Sequence, residues 1–323
     1  MAHTPRPPKD PRPLTVASAL DAAAAREFRD RGYCPVECAY GEESVIDDLA
    51  MDHHGPLAAL EPVSVRAWRD HHGARARDPR FVVAGKVDAD AAMAIAALAG
   101  TVPGPDTAGS GPVADLVELI GLLDVDPIGR DITTSPAGGL LRLWSTLFAP
   151  TAPTGNLAAI HAWTALCTRD PEALAPYTEV AVLRERERRD RAAAEARRCR
   201  RDLAVDDRLL VLDGPTVWGF DVWYGRRVSH PADAPSGWEH PVVLSRHTDG
   251  RASLGCPNTA VAQALFGNGG LRAVFPRLAP PGWGGRDAIG GSPRHEALTD
   301  AGFIDAARAI SYILAGGDTT ADR

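Results

Sequence analysis

The sequence predicts an α/β fold: a mostly parallel sheet in the N-terminal domain, followed by a smaller mixed α/β C-terminal domain. Three observations lead there. Over the first half of the chain, short apolar runs bounded by polar residues alternate with segments of helical spacing, the pattern of strands joined through crossover helices. A stretch of charged helix formers, Glu179–Leu203, then interrupts the apolar pattern. Beyond it come strand-like runs separated by Gly/Pro turns. At 323 residues, two domains are the natural expectation. We divide the chain into a disordered arm (1–15), an α/β domain (16–176), a charged connecting helix (177–205) and a smaller domain (206–323).

Each element has a local reason. Five prolines between Met1 and Leu14 leave no apolar core, so neither a signal peptide nor an anchor is expected there. Val16–Arg29 is alanine-rich and reads as a short helix broken by Gly32. Ser44–Met51 suits a strand ending at Asp52, and Phe81–Gly85 a second strand. Ala91–Ala99 follows as a helix whose small residues permit close packing, and Thr101–Pro112 is a loop. Val113, Leu116, Val117, Ile120 and Leu123 share one helical face that runs into Asp124-Val125-Asp126-Pro127. Gly138–Phe148 and Leu157–Cys167 are further helices. Glu179–Leu203 has opposite charges at helical spacing and little apolar stripe, which makes it a solvated connector. In the second domain Leu209–Leu212, Val217–Trp223 and Val242–Arg246 read as strands, and Phe303–Leu314 as a closing amphipathic helix.

Composition narrows the function. A formal net charge of −7 argues against a generic polyanion-binding surface. The longest apolar run, Ala91–Ala99, is far short of the ~20 residues of a spanning helix, so no membrane partner is expected and a cytoplasmic location is the default. Five scattered cysteines do not form a disulfide framework.

Potential chemistry concentrates near the front. Asp52-His53-His54-Gly55 recurs as Asp70-His71-His72-Gly73, and Asp88-Ala89-Asp90 follows the Phe81–Gly85 strand, so four of the ten histidines fall between positions 52 and 90. Carboxylates beside imidazoles offer the oxygen and nitrogen donors that Mn, Fe or Zn accept. Asp52 and Asp88 sit just past predicted strand ends, where open α/β sheets bind ligands. Asp124 and Asp126 end a helix, at the unfavourable end of the helix dipole for a carboxylate; a role as metal ligands would explain this, and so, equally, would a helix-terminal turn before Pro127. The second Asp-His-His-Gly lies among arginines with no strand before it, and reads as a solvated turn ahead of a part in the chemistry.

These residues resemble the motifs of the DHH phosphoesterase family. Asp52-His53-His54 is similar to its name-giving motif, and Asp88-Ala89-Asp90 to its Asp-x-Asp motif opening an alanine-rich helix. Gly284-Gly285-Arg286-Asp287-Ala288-Ile289-Gly290-Gly291 resembles the glycine-rich loop of the DHH-associated domain, and Ser245-Arg246 its serine–arginine region. The resemblance implies a two-ion divalent metal centre, manganese first, with Mg, Fe or Zn as the other candidates. Asp52, His53, Asp88 and Asp90 would be its ligands, and His53 and His54 would act catalytically; the helix-end Asp124 joins the ligands on its position alone. Arg246, Gly284, Gly285 and Arg286 would bind a small phosphorylated substrate such as a nucleotide, with His247 added as the polar-loop neighbour of Arg246. Hydrolysis of a phosphate ester or anhydride is the implied activity, in a protein that can form a homodimer. Two departures stand out: here Asp-x-Asp follows Asp-His-His rather than preceding it, and Arg286 replaces the loop's histidine. They keep two alternatives in view, an altered nucleotide- or anion-binding regulatory protein and a biosynthetic metal-dependent hydrolase acting on a non-phosphate substrate.

Overall fold

The computed structural model describes residues 12–40, 43–54, 57, 60–108, 110–125, 132, 135–147, 155–204, 206–225, 237–293 and 297–316. Of the residues singled out above, Gly55, Asp126, Pro127 and Phe148 lie outside them, as does most of the arm. The chain is α/β and divides into two compact units, Met1–Val125 with Ile132–Leu183, and Asp126–Asp131 with Arg184–Arg323.

In unit 1, β1 (Thr15–Ala19), β2 (Cys34–Val36) and β5 (Arg80–Ala84) form a parallel sheet in the order β1-β5-β2. The middle strand is buried on both faces at Phe81, Val82 and Val83, which is why its sequence is continuously apolar rather than alternating. Between β2 and β5 come the two-residue strands β3 (Ala39–Tyr40) and β4 (Glu43–Ser44) and the helix α2 (Val63–Asp70). Helix α1 (Ala22–Asp30) starts where the Asp21 carboxylate accepts from Ala24 N at 2.8 Å, and α3 (Ala89–Leu98) where Asp88 accepts from Ala91 N at 2.9 Å. Helices α4 (Ser110–Val125), α5 (Pro136–Leu147) and α6 (Asn156–Thr168) complete the core, with Trp144 and Trp163 stacked at 4.9 Å.

The long α7 (Pro171–Cys199) runs into unit 2, whose five-stranded sheet has the order β6-β7-β8-β10-β9. Its strands are β6 (Leu209–Asp213), β7 (Val242–Arg246), β8 (Ala252–Gly255), β9 (Gly284–Gly285) and β10 (Ile289–Gly291). Only β6 and β7 pair in parallel; the remaining pairs are antiparallel. Helices α8 (Phe220–Trp223), α9 (Thr259–Phe266) and α10 (Asp300–Leu314) accompany the sheet. Among the described residues no helix is long and apolar enough to cross a membrane.

Several elements differ from expectation. Val16–Ala19 is strand, because the helix cannot begin before its cap at Asp21; the strand's first residue, Thr15, falls within the expected arm. Ser44–Met51 is no strand beyond Ser44: Val45 and Met51 are buried singly from a loop, and Ala50 has φ 50, outside any strand conformation. Helix α2 was not foreseen, since arginines dominate its solvent face. Helix α4 starts at Ser110, inside the expected loop. Val217–Trp223 is a turn and a short helix rather than a strand, with Gly219 at its start.

One side chain ties the carboxyl ends of the strands together. Asn156 Nδ2 donates to Ser18 Oγ at 3.0 Å and to Gly85 O at 2.9 Å, while its Oδ1 accepts from Val87 N at 3.1 Å. Ser18 Oγ itself donates to Gly85 O at 2.9 Å. Replacing Asn156 with Ala strands several polar groups at once, and we expect a loss of about 1–3 kcal/mol in urea unfolding. A variant as stable as the wild type would show that water satisfies these groups equally well.

Candidate metal centre

Four segments of unit 1 converge on the His53 imidazole. His53 Nε2 lies 3.0 Å from Glu37 Oε1, 3.0 Å from Asp124 Oδ2 and 3.7 Å from Asp90 Oδ2. Glu37 follows β2, His53 lies in the loop before α2, Asp90 is in the first turn of α3 and Asp124 in the last turn of α4. Two overlapping groups result, Glu37–His53–His54 and His53–Asp90–Asp124, each with ligand atoms within 4.8 Å of one another. The expected residues His53, Asp90 and Asp124 are therefore brought together, and His54 stands beside them.

Asp52 has a different place from the metal-ligand role expected of it. Its side chain is fully buried; Oδ1 meets His54 N at 2.9 Å and His54 Nδ1 at 3.0 Å, and Oδ2 accepts from the Ser44 hydroxyl. Burial opposes its charge, but the hydrogen bonds from His54 and Ser44 prevail and hold its pKa below the usual carboxylate value. Asp52 is thus ionised, so His54 Nδ1–H donates to it and the tautomer presents Nε2 as the basic nitrogen. A carboxylate behind an imidazole is the outer-shell arrangement that orients histidine ligands.

Asp88 caps α3 and stays outside both groups of converging donors. It is open to solvent on one side and crowded by protein on the other; that crowding and the nearby Asp124 push its pKa up. Asp90 is almost wholly buried and accepts from Val63 N at 2.9 Å, Ser64 N at 3.2 Å and the Ser64 hydroxyl.

Sequence reasoning missed Glu37. Its signal was faint, a single acid in the apolar run Cys34-Pro35-Val36-Glu37-Cys38. The backbone marks it more clearly: Glu37 adopts φ 50, a left-handed conformation costing a non-glycine residue about 1–2 kcal/mol. Strain of this kind gathers at functional sites.

Charge is unbalanced here. Glu37, Asp88, Asp90 and Asp124 carry acid against the imidazoles His53 and His54, and repulsion between carboxylates some 4 Å apart is about 4 kcal/mol at an effective dielectric near 20. Protons respond accordingly. Burial, reinforced by the neighbouring carboxylates, lifts Glu37 to about 7. Burial and Asp124 lift Asp90 to about 6 against the hydrogen bond from Ser64. Burial disfavours the His53 imidazolium, yet its bonds to Asp124 and Glu37 raise it to about 10. Divalent cations favour such a donor set of carboxylate oxygens and imidazole nitrogens.

The second Asp-His-His-Gly is the end of α2. Asp70 pairs with Arg69 at 2.8 Å, His72 Nε2 meets Val102 O at 2.8 Å, and Gly73, with φ 71 in the turn beyond the helix, donates its N–H to Ala97 O at 2.9 Å. It takes no part in the cluster. Lys86 is exposed in the β5–α3 loop.

In unit 2, His247, Gly284, Gly285 and Arg286 line one cavity of about 820 Å³ together with Arg251, Ser253 and Ser292. His247 Nε2 is 3.2 Å from Ser253 Oγ, and its ring stacks near-parallel on Trp218 with centroids 5.9 Å apart. Burial lowers the His247 pKa. Ser245 is directly opposite Ser253 in the sheet and shares its face; its buried hydroxyl has no partner among the described residues. Arg246 is a correction to the expected substrate set. Its guanidinium donates to Asp213 at 2.8 and 2.9 Å, pairs with Asp300 at 2.7 Å and lies 4.8 Å over the Phe303 ring, so it fastens α10 to the sheet. It does not line the cavity. His240 lies against Asp207 O and Glu239, away from this cavity, and His230 and His295 are outside the described residues.

Comparison of the chain with protein-family models, with curated proteins and with solved structures finds no match in any of the three.

A proton-for-metal exchange follows from the raised values. A carboxylate whose folded pKa exceeds its unfolded one stabilises the protein at low pH, and that contribution is lost as pH rises through the folded value; the raised His53 acts in the same sense up to about 10. Metal needs the deprotonated donors. The Tm gained on adding Mn²⁺ to EDTA-treated protein should therefore grow from pH 5 to pH 8. A gain that is constant or shrinks over that range would contradict this donor set.

Proposed function

We propose that the protein is a divalent-metal-dependent hydrolase of phosphate esters or anhydrides, acting on a small phosphorylated metabolite such as a nucleotide. The observation that supports this most is the convergence of Glu37, Asp90 and Asp124 on His53 beyond the carboxyl ends of a parallel sheet, where such folds bind ligands. The resemblance of Asp52-His53-His54 and Asp88-Ala89-Asp90 to DHH phosphoesterase motifs points the same way. Their reversed order in the chain is compatible with one site, since the folded chain gathers His53 and Asp90 regardless of sequence order.

In this reading Glu37, His53, Asp90 and Asp124 hold the cation, manganese being our first choice. A bound divalent ion would acidify water and draw charge from a phosphoryl oxygen. The chain's residues do the rest. Asp52 fixes the His54 tautomer, so that Nε2 can take a proton from the attacking water or, once protonated, return it to the leaving oxygen. Asp88, solvent-facing beside the cluster, marks the entrance. The two donor groups overlap at His53, with Glu37 and His54 in one and Asp90 and Asp124 in the other, an arrangement compatible with the two-ion centre the resemblance implies. Separately, within unit 2 itself, the cavity offers Arg286, Arg251 and glycine backbone to an anion. We place the protein in the cytoplasm, a setting suited to its five free cysteines, with no membrane partner and a homodimer as a further possibility.

The test is turnover of p-nitrophenyl phosphate esters, short oligonucleotides and cyclic dinucleotides by Mn²⁺-loaded protein. His53→Ala and Asp90→Asn should each lower kcat/KM by more than about 100-fold, the upper end of what outer-shell changes cost at metal sites. Protein that carries no divalent metal, hydrolyses nothing and binds nucleotide equally well in EDTA would favour the regulatory alternative.

A further inference from the structure

We infer that Arg66 is a positioning residue for the metal centre, locking the turn that carries Asp52 and His53 to the helix that carries the donors to Asp90. The inference rests on the metal-centre reading above and adds a residue that touches none of the candidate ligands' side chains.

All three nitrogen positions of the Arg66 guanidinium donate to backbone carbonyls. Nε reaches Glu61 O at 2.9 Å, Nη1 reaches Ala50 O at 3.0 Å and Nη2 reaches Asp52 O at 2.8 Å. The carboxylates of Glu61 and Asp70 are taken instead by Arg69. A charged fork aimed only at carbonyls serves to fix the course of the chain. That turn needs fixing, because Ala50 has φ 50, a left-handed conformation that a non-glycine residue holds only when its surroundings enforce it. Its remaining carbonyl, Met51 O, accepts from Glu37 N at 2.8 Å, so the same turn also sets the strained Glu37.

Arg66 lies on α2, one turn from Val63 and Ser64, whose backbone N–H groups and hydroxyl grip Asp90. One helix therefore holds two walls of the site, the Asp52–His53 turn by its guanidinium and Asp90 by its N-terminus. Lysine keeps the charge but cannot span carbonyls two residues apart with a planar fork. Were the role only to stabilise the fold, weaker metal binding would accompany unfolding and nothing else.

The experiment compares wild type with Arg66→Lys, Arg66→Gln and, as a control on the same helix, Arg69→Ala. Each full-length protein is stripped with EDTA, checked by far-UV circular dichroism, and titrated with Mn²⁺ by calorimetry and with Co²⁺ by visible absorption. The inference expects Arg66→Lys and Arg66→Gln to fold, to bind Mn²⁺ about 10–100-fold more weakly, and to shift the Co²⁺ d–d bands, with Arg69→Ala unchanged. Folded Arg66 variants with wild-type Mn²⁺ affinity and an unshifted Co²⁺ spectrum would overturn it while leaving the metal centre intact. Wild-type protein that takes up neither ion would overturn the metal centre and this inference together, a result recognisable before any variant is made.

Discussion

A single imidazole held among buried acids organises unit 1. His53 Nε2 has Glu37 and Asp124 at 3.0 Å and Asp90 at 3.7 Å, in a region where burial already penalises charge. Burial first, and repulsion between the acids second, make Glu37 and Asp90 hold protons more tightly than usual, while the bonds to Asp124 and Glu37 do so for His53. A self-contained ion-pair network could be balanced with one acid; this cluster has more acid than base. That surplus is the physical reason to regard it as a cation site.

The rest of the unit keeps the surplus in place. Asp90 is gripped by the start of α2, Asp52 and Ser44 brace His54, and Glu37 is held in a left-handed conformation with its N–H on Met51 O. The apolar core formed by α3, α4 and α6 with the sheet supplies the rigidity such a constellation requires. Unit 2 carries the second chemical feature, a glycine-rich cavity with basic residues, while its most prominent strand-end arginine, Arg246, has a structural role.

Much of this was legible in the sequence where local chemistry decides structure. Phe81–Ala84, the alanine-rich α3 and the helical face ending at Asp124 were readable because burial all round leaves a continuous apolar run and burial on one stripe a periodic one. His53, Asp90 and Asp124 could be named as ligand candidates because acid and imidazole stood beside predicted element ends. The misreadings have a common origin in loops. Nothing local distinguishes the buried loop 45–51 from a strand, since its apolar residues are buried by tertiary contacts rather than by pairing. Glu37 was hidden because its importance arises from its contact with His53 across an intervening loop and from a backbone angle that composition does not encode. Asp52 was expected as a ligand, and only coordinates reveal that its oxygens are already engaged by Ser44 and His54.

The most direct measurement is a crystal structure of the protein grown with Mn²⁺, with anomalous scattering used to locate the ion. The account predicts a manganese peak bonded to His53 Nε2 and to carboxylate oxygens of Glu37, Asp90 and Asp124, with Asp52 still bound to His54. An empty cluster at saturating Mn²⁺, with His53 still paired to Glu37 and Asp124, would contradict it.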